Sequence, residues 1–503
     1  MAISLSNIPS TIRVPLFYAE MDNSMANTAT GEKKTVLIGQ MSADGTAKVN
    51  SPTLVSSATK AMTLFGRGSQ LALMVEAYRS NDASGELWCV AQKVTDGVQA
   101  SGTVTVVGTA LESGSVYLYV GSTLVTVTVA SGATAESIAT ALTAKINSLG
   151  DLPITATSAK AQDSGAYVIT CLAKDGGVYG NEIKLGTNLQ GTVGGEENIS
   201  GINVAVNGLA GGAGAVDLTT AFEALGDETY LFIGIGICDA TSLDAVKTEM
   251  NDSTGRWSYA KMQYGQVFTA KRGTDSELVA FGNTRNDQHV TVFGIEESHP
   301  EPAWIVSASA TGRESAYISI DPARPTQTGI LYNLMSPAIE NRFNMTERDT
   351  LLHNGIATLY VEGGYVRIER AITTYQLNSF GDDDNSYLDS ETLFTLAEIT
   401  TCLKTAITSK YARHKLANDG TRYGAGQAIV TPKVIRSELI AQYAGLEQRG
   451  LVENADLFAK YLIVERNASD PCRIDVLLPP DLVNQLRIFA MLTQFRLQYS
   501  DNA

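Results

Sequence analysis

YLFIGIGI, residues 230–237, is an apolar run with no charged residue on either parity. It has the length of a strand and needs cover on both faces, which is how a strand inside a parallel sheet reads. Its flanks read as helices. Asp217 is placed to cap a helix carrying Leu218, Phe222 and Leu225 and stopped at Gly226, and another helix is expected over 242–250. Strands at 266–270 and 290–295 (VTVFGI), with a helix over 276–283 between them, continue the alternation. Upstream, TVLI (35–38) and ELWCVAQ (86–92) bracket a helix from Ser69 with Leu71, Met74, Val75 and Tyr78 on one face. Alternation of this kind builds a parallel sheet covered by helices, so the fold class is α/β.

Residues 94–215 interrupt that pattern. They are rich in Thr, Val, Gly, Ser and Ala, lack arginine, and carry short β-type runs at 103–107, 116–120, 124–129 and 166–171. One helix is expected among them, capped by Thr134 and carrying Ile138, Leu142 and Ile146, and GGAG (211–214) reads as the loop back. From 309 the chain is more mixed: a hairpin around Gly363 and Gly364, helices over 389–417 and 432–448, and strands at 461–465 and 473–478. The expected organisation is an extended arm (1–30), an α/β core (31–93 and 216–308), an inserted β-rich domain (94–215), a C-terminal α+β domain (309–480) and a terminal strand or arm (481–503).

Both ends read as extended. In DLVNQLRIFAMLTQFRLQY (481–499), Phe489, Met491, Phe495, Leu497 and Tyr499 share one parity, the pattern of a strand with one buried face. Near the start, Ile12, Val14, Leu16 and Tyr18 alternate with Arg13, Pro15 and Phe17, and Pro15 restricts this stretch to an arm or an edge strand. Such ends either close the chain's own sheet or add to a neighbour's edge.

The chemistry of 503 residues with net charge −16 argues against general nucleic-acid binding, which needs clustered Lys and Arg. Five dispersed cysteines show no C-x-x-C pair, MAISLSNIPS lacks the layout of a secretory signal, and no apolar run is long enough for a bilayer. The G-x-G of YLFIGIGI lacks a third glycine and reads as buried strand. DDDN (382–385) lacks the glycine and glutamate of a calcium loop. The histidines lack metal-ligand spacing, and no nucleophile elbow occurs. The reading is a non-enzymatic chain with no catalytic residue, cofactor or metal. Lys404, Lys410, Arg413 and Lys415 form a basic cluster on this acidic chain. It is either a solvated helix end, where cations favour the dipole, or a contact for an acidic partner.

Several long segments resemble one family. They are IPSTIRVPLFYAEMDNS (8–24), SIDPARPTQTGILYNL (319–334), ERDTLLHNGIATLYVEGGYVRIERAITTY (347–375), SYLDSETL (386–393), KYARHKLANDGTRYGAGQAIVTPKVIRSELIAQY (410–443), GLVEN (450–454) and LIVERNASDPCRIDVLLPPDLVNQLRIFAMLTQFRLQY (462–499). They are similar to the contractile tail sheath proteins of Mu-like bacteriophages, with the insertion least alike. The resemblance implies a non-catalytic core of subtilisin-like topology and subunits in hexameric rings stacked helically around a tail tube. Implied partners are further copies of the chain, the tail tube protein, and baseplate and tail terminator proteins, with no nucleic acid and no membrane insertion. Contraction would drive the tube through the host envelope during genome delivery, in a virion assembled in the bacterial cytoplasm. The arms would pair with neighbours' C-terminal domains through linkers near 23–32 and 479–482, and the basic cluster would face the tube. A phage-derived bacteriocin or other contractile injection particle, a hydrolase on the same topology and a β-rich surface-binding protein remain the alternatives.

Overall fold

The computed structural model describes residues 33–162 and 165–497. The chain opens with β1 (Lys34–Gln40), β2 (Pro52–Leu54), α1 (Ala58–Phe65), α2 (Gln70–Asn81) and β3 (Glu86–Gln92). The insertion follows: β4 (Ser101–Gly108), β5 (Gly114–Val120), β6 (Thr123–Val129), α3 (Ala135–Ser148), β7 (Ile154–Lys160), β8 (Tyr167–Ala173), β9 (Leu185–Thr187) and β10 (Ile202–Ala210). Alternation then resumes with α4 (Leu218–Leu225), β11 (Phe232–Ile235), α5 (Ala240–Met250), β12 (Gln266–Gly273), α6 (Asp275–Gly282), β13 (Val290–Glu296) and α7 (Ala303–Ile318). The remainder comprises α8 (Met345–Leu352), β14 (Thr358–Glu362), β15 (Tyr365–Arg370), α9 (Ser390–Tyr411), β16 (Lys415–Leu416), β17 (Ile429–Val430), α10 (Pro432–Gln448), α11 (Ala455–Tyr461), β18 (Ile463–Arg466) and β19 (Ile474–Leu477).

The central sheet has the order β13-β12-β11-β1-β3-β2, parallel except for β2. Counted along its parallel strands this is 2-1-3-4-5, a doubly wound arrangement. Strand parity divides the cover. Val36, Ile38, Ile233, Ile235, Val267 and Val292 pack with Phe222, Val246 and Leu278 of α4–α6, whereas Phe232, Phe268 and Phe293 face Val306 and Ala310 of α7. β2 begins with Pro52 at the sheet edge, where a missing backbone donor is harmless.

α7 is buried on nearly every side. Its small residues permit this: a methyl on Gly312 would lie 2.7 Å from the Tyr78 carbonyl oxygen of α2. The glycines of the G-x-G run serve the same close packing, since a methyl on Gly234 would meet Leu37 at 2.5 Å and Thr311 at 2.8 Å. The expected domain boundary between 308 and 309 falls inside this helix.

In the insertion, β10-β4-β8-β7 and β6-β5-β9 form two antiparallel sheets around α3. Their apolar cluster is continuous with α2 and α7 through Leu71, Trp304 and Ala308. Trp304 meets Tyr179 edge-on at 6.2 Å, and Arg272 of β12 pairs with Glu182 at 2.9 Å. Beyond α7 the β14–β15 hairpin turns at Gly363 and Gly364, both at positive φ, and lies beside β13 through the Phe293–Ala357 bridge. A separate apolar cluster joins α9, α10 and α11, with Tyr443 stacked on Phe458 at 3.7 Å.

Candidate functional site: the C-terminal arm, its root and the adjoining hairpin

Two elements meet beneath the end of the chain. Glu314 lies on α7, and Asp389 and Glu391 lie at the start of α9. Glu314 and Glu391 are fully buried. From β15, Arg370 forks onto Asp389 with bonds of 2.8 and 2.9 Å. From the C-terminal segment, Arg487 donates to Asp389 at 3.0 Å and to Gln327 at 3.3 Å, and its guanidinium lies 3.1 Å from Glu391. Glu391 also accepts the Thr326 backbone N–H at 3.0 Å. Neither oxygen of Glu314 has a hydrogen-bond partner. Burial holds its carboxyl well above the usual range and the Glu391 charge adds to the shift, opposed first by the nearby Thr326 hydroxyl and then by Arg487.

The chain leading to Arg487 is fastened along its length. The Asp481 carbonyl accepts from Glu453 N–H at 2.9 Å, and Val452 and Leu482 form an antiparallel bridge. The Tyr443 hydroxyl accepts from Asp481 N–H at 3.0 Å and donates to the Glu453 carbonyl at 2.8 Å. Gln485 donates to the Ala323 carbonyl at 3.1 Å. The linker expected around 479–482 is therefore tied to the body. The fastening begins at Asp481 and Leu482, directly after the diproline.

Past Arg487 the character changes. Ile488, Phe489, Met491, Leu492, Phe495 and Leu497 are exposed, Phe489 by 80% and Leu497 by 97%. No residue of 488–497 enters a sheet ladder among the described residues. The expected strand over this stretch has no partner strand within the described chain, and isolated strands leave their backbone groups unpaired. Tyr499, like Ile12, Val14, Leu16 and Tyr18 of the other arm, lies outside the described residues. The first described residue also lies against α9: Lys33 donates to the Ser319 carbonyl at 3.1 Å and approaches Glu398 of α9 at 3.9 Å.

A two-stranded antiparallel hairpin, β18–β19, lies close in sequence to the arm. Ile463, Val476 and Leu477 on it are exposed. Its two strands pair only with each other among the described residues, leaving both outer edges open.

The basic cluster does not act as one helical face. The helix expected over 389–417 ends at Tyr411, because Lys415 turns into the β16–β17 pair. Lys410 is engaged with Glu438 of α10 at 2.6 Å, and Lys415 donates to Gln427 at 3.3 Å. Lys404 and Arg413 are exposed and make no ion pair among the described residues. The acidic run at 382–385 folds on itself, Asp384 accepting the Tyr375 hydroxyl at 2.7 Å. No cluster of three metal-ligating side chains occurs among the described residues, nor a helix long and apolar enough to cross a membrane. Burial pushes the thiols of Cys89, Cys171 and Cys238 upward, away from nucleophilic thiolates.

Sequence reasoning missed Arg487, Tyr443 and Asp481 as fastenings. The one available signal was an arginine set inside an apolar stretch, LRIFAML.

The family model for the phage tail sheath protein central domain matches residues 211–374, and that for the phage tail sheath C-terminal domain matches 382–496. The tail sheath protein of the Mu-like prophage FluMu of Haemophilus influenzae is 39% identical over 499 residues, covering 98% of this chain and 100% of that protein. Among solved structures, the sheath tail protein from Desulfitobacterium hafniense aligns with a TM-score of 0.49 at 11% identity, over 94% of this chain and 97% of its own. The contracted helical sheath of the anti-feeding prophage aligns with a TM-score of 0.43 at 10% identity, over 97% of this chain and 100% of its own. The two family models and the FluMu relative define a structural component of a contractile phage tail. The chain belongs to the phage tail sheath family, on its Mu-like branch.

Proposed function

We propose that the exposed segment 488–497 is a strand that docks on the hairpin β18–β19 of a neighbouring subunit, weaving sheath subunits into a continuous mesh. The observation that carries this reading is six large apolar side chains exposed immediately after a firmly anchored root. Burying each is worth roughly 2 kcal/mol. Fixing roughly ten residues opposes this by about 1–2 kcal/mol each. The two nearly cancel, so docking is favourable only when ladder hydrogen bonds add to burial, which favours a pairing strand over an unspecific sticky tail. The N-terminal arm, with Ile12, Val14, Leu16 and Tyr18, serves the opposite hairpin edge. Lys404 and Arg413, rather than the whole basic cluster, face the tail tube.

On this reading the subunits form hexameric rings stacked around the tube, are triggered from the baseplate, and rotate outward while the arms stay paired. Assembly occurs in the host cytoplasm, and the role is mechanical rather than catalytic. The finer description of the core as subtilisin-like is supported only by its parallel sheet with helices on both faces; the strand order itself is the flavodoxin-like one. Amide hydrogen exchange on unpolymerised and polymerised chain tests the arm. Residues 489–497 should exchange freely in the first and become protected in the second together with the 463–477 hairpin. Rapid exchange of the arm in tubes visible by negative-stain microscopy would dismiss it as a connector.

A further inference from the structure

The loop 376–385 holds its shape through Asn378. The Asn378 N–H donates to the Asp382 carbonyl at 2.9 Å, and its own carbonyl accepts from Gly381 N–H at 3.1 Å. Its side-chain oxygen accepts from Phe380 N–H at 2.8 Å and from Asp382 N–H at 3.1 Å. Gly381 supplies the positive φ of 86° that this reversal needs. At the base, Asn286 accepts from Gln376 N–H and Leu377 N–H at 2.8 and 3.1 Å and donates to the Leu377 carbonyl at 2.9 Å. The frame presents Phe380, 89% exposed, next to Asp382 and Asp383, which are exposed and make no ion pair among the described residues. An apolar side chain held in water on a pre-ordered loop has the form of a binding anchor, because little order remains to be imposed when it docks.

A surface of matching chemistry lies at the C-terminal end of α7. The Arg313 guanidinium sits between the rings of Tyr317 and Tyr332, 5.1 and 4.9 Å from their centres. The Ile330 carbonyl at 2.8 Å and Asn81 at 3.3 Å hold it there. Both tyrosines are exposed, as are Ile320 and Arg324, and Arg324 makes no ion pair among the described residues. Ile320 N–H and Asp321 N–H both donate to the Tyr317 carbonyl, and Arg324 N–H to the Asp321 carbonyl, so the turn keeps these side chains close to the rings. The one acid in that turn, Asp321, is occupied by Ala323 N–H at 3.1 Å.

We propose that the Phe380 loop of one subunit seats on this tyrosine–arginine platform of a neighbouring copy. Phe380 lies against the two rings and Ile320, and Asp382 and Asp383 face Arg324. A chain of net charge −16 repels its own copies, so copies pack closely where acids meet cations, and these two surfaces meet that condition with an apolar anchor between them. The loop rests on the turn after α6 and the platform on α7, helices that cover opposite faces of the central sheet. Each subunit therefore offers its loop to one neighbour and its platform to another. Contact between two different surfaces continues from copy to copy, as a sheath requires, instead of closing into a two-fold dimer. The contact is separate from the arm pairing and does not need it.

Photo-crosslinking on the full-length chain tests the contact. A chain carrying p-benzoylphenylalanine at position 380 is co-assembled into tubes with isotope-labelled wild type, irradiated, digested with trypsin and read by mass spectrometry. The crosslink should join the unlabelled position 380 to the labelled peptide 314–342, which trypsin leaves whole because Arg324 precedes Pro325. The same mixture kept unpolymerised should lack it. Independently, Phe380→Ala should leave the melting temperature unchanged and raise the concentration needed for tubes roughly tenfold. Asp382→Arg with Asp383→Arg should also weaken assembly, and adding Arg324→Asp should restore it. A crosslink to any other segment, or none between copies, would overturn the proposal. So would assembly of Phe380→Ala at the wild-type concentration, or charge-reversed loops that Arg324→Asp fails to rescue.

Discussion

At Gly312 a missing side chain lets two helices touch. A methyl there would lie 2.7 Å from the Tyr78 carbonyl oxygen and 3.2 Å from Asn81 Cβ. Neither neighbour can yield: Tyr78 is held by Thr35, Asp82 and Ser315, and Asn81 by Tyr332 and Arg313. Gly312→Ala should destabilise the chain by about 1–3 kcal/mol through overpacking, read as a lower denaturant midpoint with an unchanged slope. His299 offers a pH-dependent counterpart. Its Nδ1 accepts the Glu301 N–H at 3.1 Å, and burial, aided by the Arg272 charge, pushes its imidazole down to about 3. Below the unfolded value of 6.5 the unfolded chain holds a proton that the native chain does not, so stability is lost as pH falls through that window. From pH 7 to pH 5 the wild type should lose roughly 2 kcal/mol more than His299→Gln. An equal loss in the two proteins would assign the acid limb to other groups. Little of this was visible beforehand. A glycine in a small-residue helix and a lone histidine acquire meaning only from what is packed against them.

Among the elements, those set by local chemistry were the ones legible in the sequence. Thr134 and Asp217 cap their helices as expected, accepting from Ser137 and Thr219 N–H, and the helix expected from Ser69 starts there, with Ser69 accepting from Ala72 N–H. β3 has the bounds that its apolar run dictated. The failures have different causes, one long-range and one local. α9 stops at Tyr411 because Lys415 N–H and Ala417 N–H find the Ala428 and Val430 carbonyls, a pairing invisible in the helical pattern. β10 was missed although Ile202, Val204 and Val206 alternate, since the glycines around it read as turns. The corrected end of α9 also changes which cations can face a tube. Lys410 is occupied by Glu438 and holds α9 to α10, so reversing it would set two acids together and disturb the fold. The sharper test is Lys404→Glu with Arg413→Glu, both at exposed positions. The double variant should keep the wild-type melting temperature and assemble less well with tail tube, with the defect varying with ionic strength as surface electrostatics do. Unchanged co-assembly would place the tube contact elsewhere on the subunit.

For the molecule as a whole, composition separated the insertion from the core, yet the apolar cluster shared by Leu142, Ile169, Trp304 and Ala308 shows them packed as one body. Segment composition reports texture, whereas such docking depends on contacts between residues more than a hundred positions apart. The arm's apolar alternation was legible in the sequence, while its root was not, because Arg487 finds Asp389 and Glu391 only in three dimensions. That distinction fixes the consequence of cutting the chain. Deleting residues 489–503 removes Phe489, Met491, Leu492, Phe495 and Leu497, all exposed in the single subunit, and leaves Arg487 in place. Had these side chains closed the subunit's own sheet, five losses at roughly 2 kcal/mol each would exhaust a folding free energy of about 5–15 kcal/mol. Since they cover nothing there, the truncated chain should stay folded and monomeric, with its melting temperature within about 1 °C of wild type, a shift equivalent to about 1 kcal/mol for a chain of this length. Negative-stain microscopy should then find no tubes under conditions where the full chain polymerises. Unfolding of the truncated monomer would assign the segment to the subunit's own core, and tubes of normal length would leave the mesh to be woven by other contacts.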